Sequence, residues 1–261
     1  MKLYINIAVT AIVLIIVFSS CQKVIDLDLN SASPQIVIEG NVYDKTGPYL
    51  VKISQTVNFD ESNVFPPVTG ATVEISDDAG NSEVLIEASS GNYISSSLQG
   101  IPGRTYTLSV ASNGKIYTAT STMPNPVNID SIYLEKSMFG NDKLVSVNFN
   151  DPANINNYYR LIEFINNEQQ PGFNVTDDNL NQGKIIRYSF MSAGNGSKLV
   201  IGDNVTVWLE SIDKGVYDYF RTAGNDGGQS SSPSNPTSNI SNGALGYFNA
   251  CSVHAISIIV Q

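Results

Sequence analysis

The 261-residue chain is poor in the residues that build most catalytic and metal centres. It has two cysteines, Cys21 and Cys251, and a single histidine, His254. No cysteine–histidine cluster has the ligand spacing of a zinc site. Oxygen-rich turns are present, but none supplies the spaced acids of a calcium-binding loop. We therefore expect neither a metal nor another cofactor.

Motifs of common enzymes are missing as well. The chain has no G-x-S-x-G nucleophile elbow and no glycine-rich phosphate loop. The adjacent acids Asp77-Asp78 and Asp177-Asp178 stand in turn-like stretches, and neighbouring side chains point apart, which disfavours an acid–base pair. His254 lies on an apolar face of the last predicted strand, which favours a hydrogen-bonded core histidine over a general base. We predict that the protein is not an enzyme.

Charge is scarce and mostly negative. Charged residues are 15% of the chain, and 24 acidic residues outweigh 14 basic ones to give a formal net charge of −10. Such a surface does not attract nucleic acid or anionic lipid headgroups, so no nucleic-acid partner is expected. The 13 tyrosines and 10 phenylalanines, with abundant serine, threonine, asparagine and glycine, are typical of an exported all-β protein.

The N-terminus has the pattern of a lipoprotein signal peptide. Lys2 precedes an apolar run from Leu3 to Phe18, which is shorter than the roughly 20 residues that cross a bilayer as a helix. Ser19 and Ser20 then lead to Cys21, as in a bacterial lipobox. We predict a signal peptide over residues 1–20 and acyl chains such as palmitate on Cys21. The alternatives are an uncleaved membrane anchor and a plain secretory cleavage.

Period-two alternation predicts an all-β fold in two parts. A tether over residues 21–34 leads into an Ig-like β-sandwich over residues 35–124, in which apolar and polar residues alternate between turn signals. Prolines at 124 and 126 cannot lie in a central strand, so we place a domain boundary there. A second antiparallel β domain is predicted over residues 127–261, with a long polar loop over residues 225–243.

Two features of the second part depart from simple alternation. The stretch KGVYDYFRTAG predicts one short helix that ends at Gly224. The closing VHAISIIV is apolar on both faces, which predicts a central or doubly covered strand. Cys251 precedes this strand. With Cys21 acylated it would have no disulfide partner, so we expect it to be a small buried hydrophobic residue.

Aromatic residues in the second part form the one candidate binding surface. The residues concerned are Trp208, Tyr217, Tyr219, Tyr247 and Phe248. Exposed aromatic side chains bind sugars, peptides and protein partners. The alternative is that these residues fill the core, as most aromatic residues of β domains do. The sequence names no ligand.

Several blocks of the chain resemble a known family. They include YLVKISQTVNFD, FPPVTGATVEISDDAGN and SPSNPTSNISNGALGYFNACS. With them the mature chain resembles the Bacteroidota lipoproteins grouped as domain of unknown function 4249, and its first part is similar to carboxypeptidase-regulatory or transthyretin-like sandwiches. The family has no established catalytic residues, so Cys21 alone receives a role from the resemblance.

The resemblance implies an outer-membrane lipoprotein encoded beside a TonB-dependent receptor. We therefore expect a non-enzymatic accessory or binding component for nutrient uptake, held to the membrane by its N-terminal lipid. A structural or adhesion lipoprotein of the cell envelope, without a small-molecule ligand, is the alternative. The acidic run that often marks surface export is weak after Cys21, so either face of the outer membrane fits.

Overall fold

The structure is a computed structural model that describes residues 33–58, 61–137, 143–190, 199–225 and 235–261. The predicted signal peptide, Cys21 and most of the tether over residues 21–34 lie outside the described residues. The fold class is as predicted: nearly all regular structure is β, in several antiparallel sheets, and the described residues contain one helix.

The described residues form sixteen strands and helix α1. In chain order they are β1 (Ile36–Tyr43), β2 (Leu50–Gln55), β3 (Thr72–Asp77), β4 (Ser82–Val84), β5 (Ile86–Ser89), β6 (Asn92–Ile94), β7 (Thr105–Ser112), β8 (Lys115–Thr122), β9 (Ile129–Lys136), β10 (Lys143–Asn150), β11 (Tyr158–Ile165), β12 (Glu168–Gln169), β13 (Asn174–Asp177), β14 (Ile185–Ser189), β15 (Asn204–Ile212), α1 (Lys214–Asn225) and β16 (Leu245–Ile259).

One nine-stranded sheet runs through the whole of the described body. Its order is β12-β11-β15-β16-β1-β2-β6-β5, with β13 also paired to β11. The 15-residue strand β16 lies in the middle, antiparallel to β15 and parallel to β1. The parallel pair joins Val37 to Leu245 and Tyr43 to Cys251. The first and last strands of the fold are therefore neighbours.

Two smaller sheets cover one face of the nine-stranded sheet, which we call the covered face. The sheet β4-β3-β7-β8 encloses a first core with β1, β2 and the first half of β16. The sheet β14-β10-β9 encloses a second core with β11, β15 and the second half of β16. Alternation explains the burial, because every second residue of β7 and β15 is fully buried, as predicted.

The predicted boundary at residues 124–127 falls between β8 and β9. The two cores lie on either side of it, but residues 34–261 form one compact unit because β16 contributes to both. A single sequence shows the apolar run of a strand, but not that its first half pairs in parallel with a strand two hundred residues earlier.

Several local predictions are confirmed and others need correction. Strands β9 and β10 pair antiparallel as the predicted hairpin, whose turn at residues 138–142 lies outside the described residues. The last strand is central, but it begins at Leu245, eight residues before the predicted start at Val253. Of the predicted polar loop over residues 225–243, residues 226–234 lie outside the described residues. The rest is not only polar surface, because Ile240 is buried in the first core and bridges Ala119.

Gly246 is the tightest point of the parallel pair. Its φ is +95°, and a Cβ atom at this position would lie 2.0 Å from the carbonyl oxygen of Ile38. The left-handed conformation alone costs a non-glycine residue about 1–2 kcal/mol. The contact with the backbone of β1 adds to this cost, since the strands would have to separate where both are buried.

We predict that Gly246→Ala lowers the free energy of unfolding by more than about 3 kcal/mol, among the large values for a single substitution. Gly243→Ala is the matched control, because Gly243 has φ +74° but nothing within 4 Å of the added Cβ. It should cost only about 1–2 kcal/mol. Urea unfolding of both variants measures the difference, and equal losses would contradict the role assigned to the β1–β16 contact.

Candidate functional site

Helix α1 packs on the other face of the nine-stranded sheet, which we call the free face. Asp213 begins the helix: its Oδ1 accepts a hydrogen bond of 2.9 Å from the backbone N–H of Val216, which is the N-cap arrangement. Val216 and Phe220 are buried against the sheet. The helix covers only part of this face, between β13 and the first half of β16.

Under and beside the helix, aromatic rings form a continuous cluster. Tyr219, Phe220 and Tyr247 contact one another with ring centroids 4.8–5.2 Å apart. Tyr217 of the helix lies 5.0 Å from Tyr158 of β11. Aromatic pairs at these separations stabilise a fold by about 0.5–1.5 kcal/mol each beyond the area they bury. The cluster therefore fixes the helix to the sheet.

The outer edge of this cluster reaches the surface. We call it the Trp208 strip, formed by Tyr43, Lys45, Phe164 and Trp208. The ring of Trp208 lies 5.0 Å from Phe164 and 6.4 Å from Tyr43, and Lys45 Nζ lies 5.4 Å from the Trp208 ring centroid. The three rings are half-buried and Lys45 is exposed. A surface of this composition can stack on an apolar or sugar face and attract an anionic group.

A buried ion pair lies between the strip and the helix. Arg160 Nη1 of β11 donates to Glu210 Oε2 of β15 over 3.2 Å, and the Glu210 side chain is fully buried. The guanidinium carbon of Arg160 also lies 3.9 Å from the Phe220 ring centroid. Burial raises the pKa of Glu210, and the neighbouring Arg160 acts in the opposite direction. Glu210 is closed to solvent, whereas the Arg160 side chain remains 12% exposed, and the pair joins β11 and β15 beneath the helix.

Amide side chains continue this polar row along the free face. Asn249 Nδ2 of β16 donates to Asn41 Oδ1 of β1, and Asn41 Nδ2 donates to the hydroxyl oxygen of Tyr247, each over 3.3 Å. Asn41 and Asn249 face each other in the parallel pair. The row therefore ties the ion pair, the aromatic cluster and the β1–β16 contact into one arrangement.

The tyrosines of the site are neutral donors at physiological pH. Burial, followed by the carboxylate of Asp177, raises the pKa of Tyr217 to about 12. Burial, followed by the charge of Glu39, raises the pKa of Tyr219 to about 12. Burial likewise raises the pKa of Tyr43 and of the Cys251 thiol. The raised pKa values keep these groups in their protonated forms at neutral pH.

The structure brings together four of the five aromatic residues named from the sequence. Trp208, Tyr217, Tyr219 and Tyr247 belong to the cluster on the free face, although Tyr247 is almost fully buried. Phe248 does not belong to this surface. Successive residues of β16 point to opposite faces, so Phe248 lies fully buried in the first core, against the space left by the missing side chain of Gly40.

Sequence reasoning missed six residues of the site, some from distant strands and some next to residues it had named. They are Tyr43, Lys45, Arg160, Phe164, Phe220 and Glu210. For Glu210 the sequence did contain a signal, because alternation within β15 places it on the same face as Trp208. Tyr43 could not be found in this way, because it reaches the site only through the parallel pairing of β1 with β16.

The remaining candidates for chemistry are accounted for structurally. His254 Nδ1 accepts a 3.1 Å hydrogen bond from the backbone N–H of Ile129, as expected, but the residue is half-buried and does not lie in the core. Cys251 is fully buried, also as predicted. Among the described residues, no group of three or more histidine, cysteine, aspartate or glutamate side chains could hold a metal ion. No helix within the same residues has the length and apolarity to cross a membrane.

Comparison with protein-family models gives one match. Residues 22–257 match the family described as Domain of unknown function (DUF4249). The match covers the tether, both cores and the aromatic cluster. A comparison with curated proteins finds no match.

The first prediction from the site concerns Arg160. Arg160→Met leaves Glu210 buried without a counter-charge, which typically costs about 3–5 kcal/mol. The folded-state pKa of Glu210 is raised, so its protonated form favours folding. The loss should therefore be largest at neutral pH and shrink as pH falls towards the unfolded pKa of the carboxyl group.

Lys52→Met is the control for Arg160→Met. It breaks the Lys52–Glu39 pair of 4.0 Å, whose partners are 53% and 40% exposed, and should cost less than about 1 kcal/mol. Urea unfolding between pH 5 and pH 8 compares the two variants. A pH-independent loss in Arg160→Met would contradict the assignment of the charge to Glu210.

The second prediction concerns Glu163 of β11, which faces the rim of the second core opposite Val207. Burial raises its pKa to about 7 from 4.5. The protonated form thus contributes stability that is complete below about pH 4.5 and is lost as pH rises through about 7. Glu163→Gln should stabilise the protein by at most about 3 kcal/mol at pH 8 and hardly at all at pH 4. Glu168→Gln, at an exposed position of β12, should change stability at neither pH.

Proposed function

The chain belongs to the family described as Domain of unknown function (DUF4249), and from that premise we propose that it is a lipid-anchored, non-enzymatic binding protein of the outer membrane. In this proposal it acts as an accessory component beside a TonB-dependent receptor. Cys21 is the residue that carries the lipid, and the Trp208 strip is the surface that meets the partner.

The anchor is supported by the order of residues at the N-terminus. A short apolar run, two serines and Cys21 follow one another as the acylation pathway requires. Two or three acyl chains hold a protein stably on a membrane, whereas one chain holds it only marginally. Cys251 does not compete for the role, because it is fully buried.

The binding role is supported above all by the Trp208 strip. Tryptophan, tyrosine and arginine dominate the energetics of protein interfaces, where partly buried rings form the centre of the contact. The rings of the strip are held by their neighbours, so little side-chain freedom is lost on binding. Lys45 adds a charge next to the central ring, on a protein that is otherwise acidic.

The absence of exposed activated groups in the site also favours binding over chemistry. Its one carboxylate–guanidinium pair is buried, and its tyrosine hydroxyls have raised pKa values. A catalytic acid or base has to reach a substrate proton directly or through one water molecule. Glu210 has no such access.

The test is a cross-linking experiment on intact cells. A photo-reactive amino acid replaces Trp208, and in a second strain it replaces Ile185, an exposed apolar residue of β14 on the other side of the body. We expect an adduct with an outer-membrane receptor at position 208 and none at position 185. Mass spectrometry of the same protein should find Cys21 acylated at the N-terminus.

The affinity of a Trp208 variant for the partner measures how much the Trp208 strip contributes to binding. Trp208→Ala should weaken co-purification with the cross-linked partner by about 2 kcal/mol, more than tenfold in the dissociation constant, whereas Ile185→Ala should leave it unchanged. Unfolding curves confirm that both variants fold. Acylated protein that cross-links to nothing at position 208 would contradict the accessory role and favour a structural component of the envelope.

A further inference from the structure

We propose that the loop over residues 61–65, together with Ile116 at the same end of the body, rests in the surface of the lipid bilayer to which Cys21 is anchored. This inference rests on the proposed lipid anchor and adds to it a second, non-covalent membrane contact. The contact would orient the body, which a lipid at the end of a tether does not do by itself.

The position of the loop in the fold is the first argument. The chain enters the described body at Pro34 and Gln35, and the Gln35 backbone N–H donates to Thr56 Oγ1 while Gln35 O accepts from the Thr56 backbone N–H, both over 2.9 Å. The loop begins five residues after Thr56. It returns along β2, where the Gln55 backbone N–H donates to Pro66 O and Ser54 bridges Pro67. Residues 61–65, which lead into Pro66, therefore lie near the end of β1 and β2 at which the tether arrives.

The exposed apolar side chains are the second argument. Val64 is 73% exposed and Phe65 is 51% exposed, at the tip of this loop. Ile116, 57% exposed, lies at the same end, because its carbonyl oxygen accepts a hydrogen bond from Asn242 Nδ2, just before β16 begins beside Val37. Exposed apolar side chains occur elsewhere on the body as well, Leu180 and Ile86 among them, but Val64 and Phe65 are adjacent in one loop near the point where the tether arrives.

The length of the tether decides between the two ends of the body. Between Cys21 and Pro34 the chain can span at most about 45 Å. Strand β16 has 15 residues and is about 50 Å long, so its end at Ile259 lies about that far from the tether. A body standing with this far end, which exposes Val200 and Ile201, in the membrane would hold Pro34 beyond the reach of even a fully extended tether. The loop with Phe65 reaches it at any extension.

The side chains of the loop suit the apolar boundary of a lipid bilayer better than they suit anionic headgroups. An aromatic ring, an aliphatic side chain and two following prolines can enter the boundary between headgroups and acyl chains. Glu61 in the loop and Lys115 beside Ile116 carry opposite charges, so neither sign dominates between them. The contact therefore depends on apolar burial, as expected for a chain whose net charge is −10.

The experiment uses the full mature, acylated protein in vesicles of phosphatidylethanolamine and phosphatidylglycerol. A fluorescent label is placed on Asn63→Cys, next to Val64, and in a second variant on Ile201→Cys at the far end. Cys21 is acylated and Cys251 is fully buried, so neither competes for the label. Flotation verifies that each protein is anchored, and mass spectrometry verifies the acyl chains.

We expect lipids carrying a shallow quencher to reduce the fluorescence at position 63 at least about twofold more than at position 201, since interfacial groups lie about 5–10 Å into the boundary. Adding Val64→Ser and Phe65→Ser to the labelled Asn63→Cys protein should abolish this difference without changing flotation. Unchanged unfolding curves exclude a folding defect, as both side chains are exposed.

The outcomes separate this inference from the proposed function. Anchored protein with equal quenching at both positions would overturn the membrane contact and leave the anchor intact. Shielding of position 63 that requires added receptor would also overturn it, in favour of a protein partner. Protein that neither floats nor carries acyl chains would overturn the anchor, and the membrane contact with it.

Discussion

The parallel contact between β1 and β16 is the constraint on which the rest of the fold depends. Strand β16 supplies alternate side chains to the two cores on the covered face and to the aromatic cluster on the free face. Its backbone bonds to β15 on one side and to β1 on the other. The site therefore depends on the pairing of the last strand, because Asn41 and Tyr247 are joined only across this contact.

The long β16 also explains why a buried charged group, the Glu210 carboxylate, is tolerated under helix α1. Burying Glu210 is unfavourable, and its attraction to Arg160 and the contact of Arg160 with Phe220 only offset that cost. Arg160 and Glu210 stand directly opposite each other in the β11–β15 register, on the face that carries Trp208 and Phe164 at its edge. The alternating apolar residues of both strands specify the same register, since one face of the pair is buried in the second core.

Much of the architecture could be predicted from the sequence, and the parts that could not share a physical cause. Alternation in β7 and β15 shows directly which residues are inside, and the capped helix after Asp213 follows from local signals. Phe248 was assigned to the surface because clustering in sequence does not reveal which way a strand faces. Tyr43 was missed because its position depends on strand pairing across two hundred residues. No local sequence pattern identifies the two partner strands.

The same strand sets the distance between the two surfaces to which we assign contacts. Leu245 of β16 lies beside Val37, at the end where the tether arrives, and Ala255 lies beside Trp208. Ten residues of β structure separate them, or about 33 Å. With Phe65 in the bilayer surface, the Trp208 strip would stand at roughly that height above the membrane. A receptor that binds the Trp208 strip must then extend out of the membrane by about the same distance. Because β16 is one continuous strand, the height of the strip above the membrane can vary little.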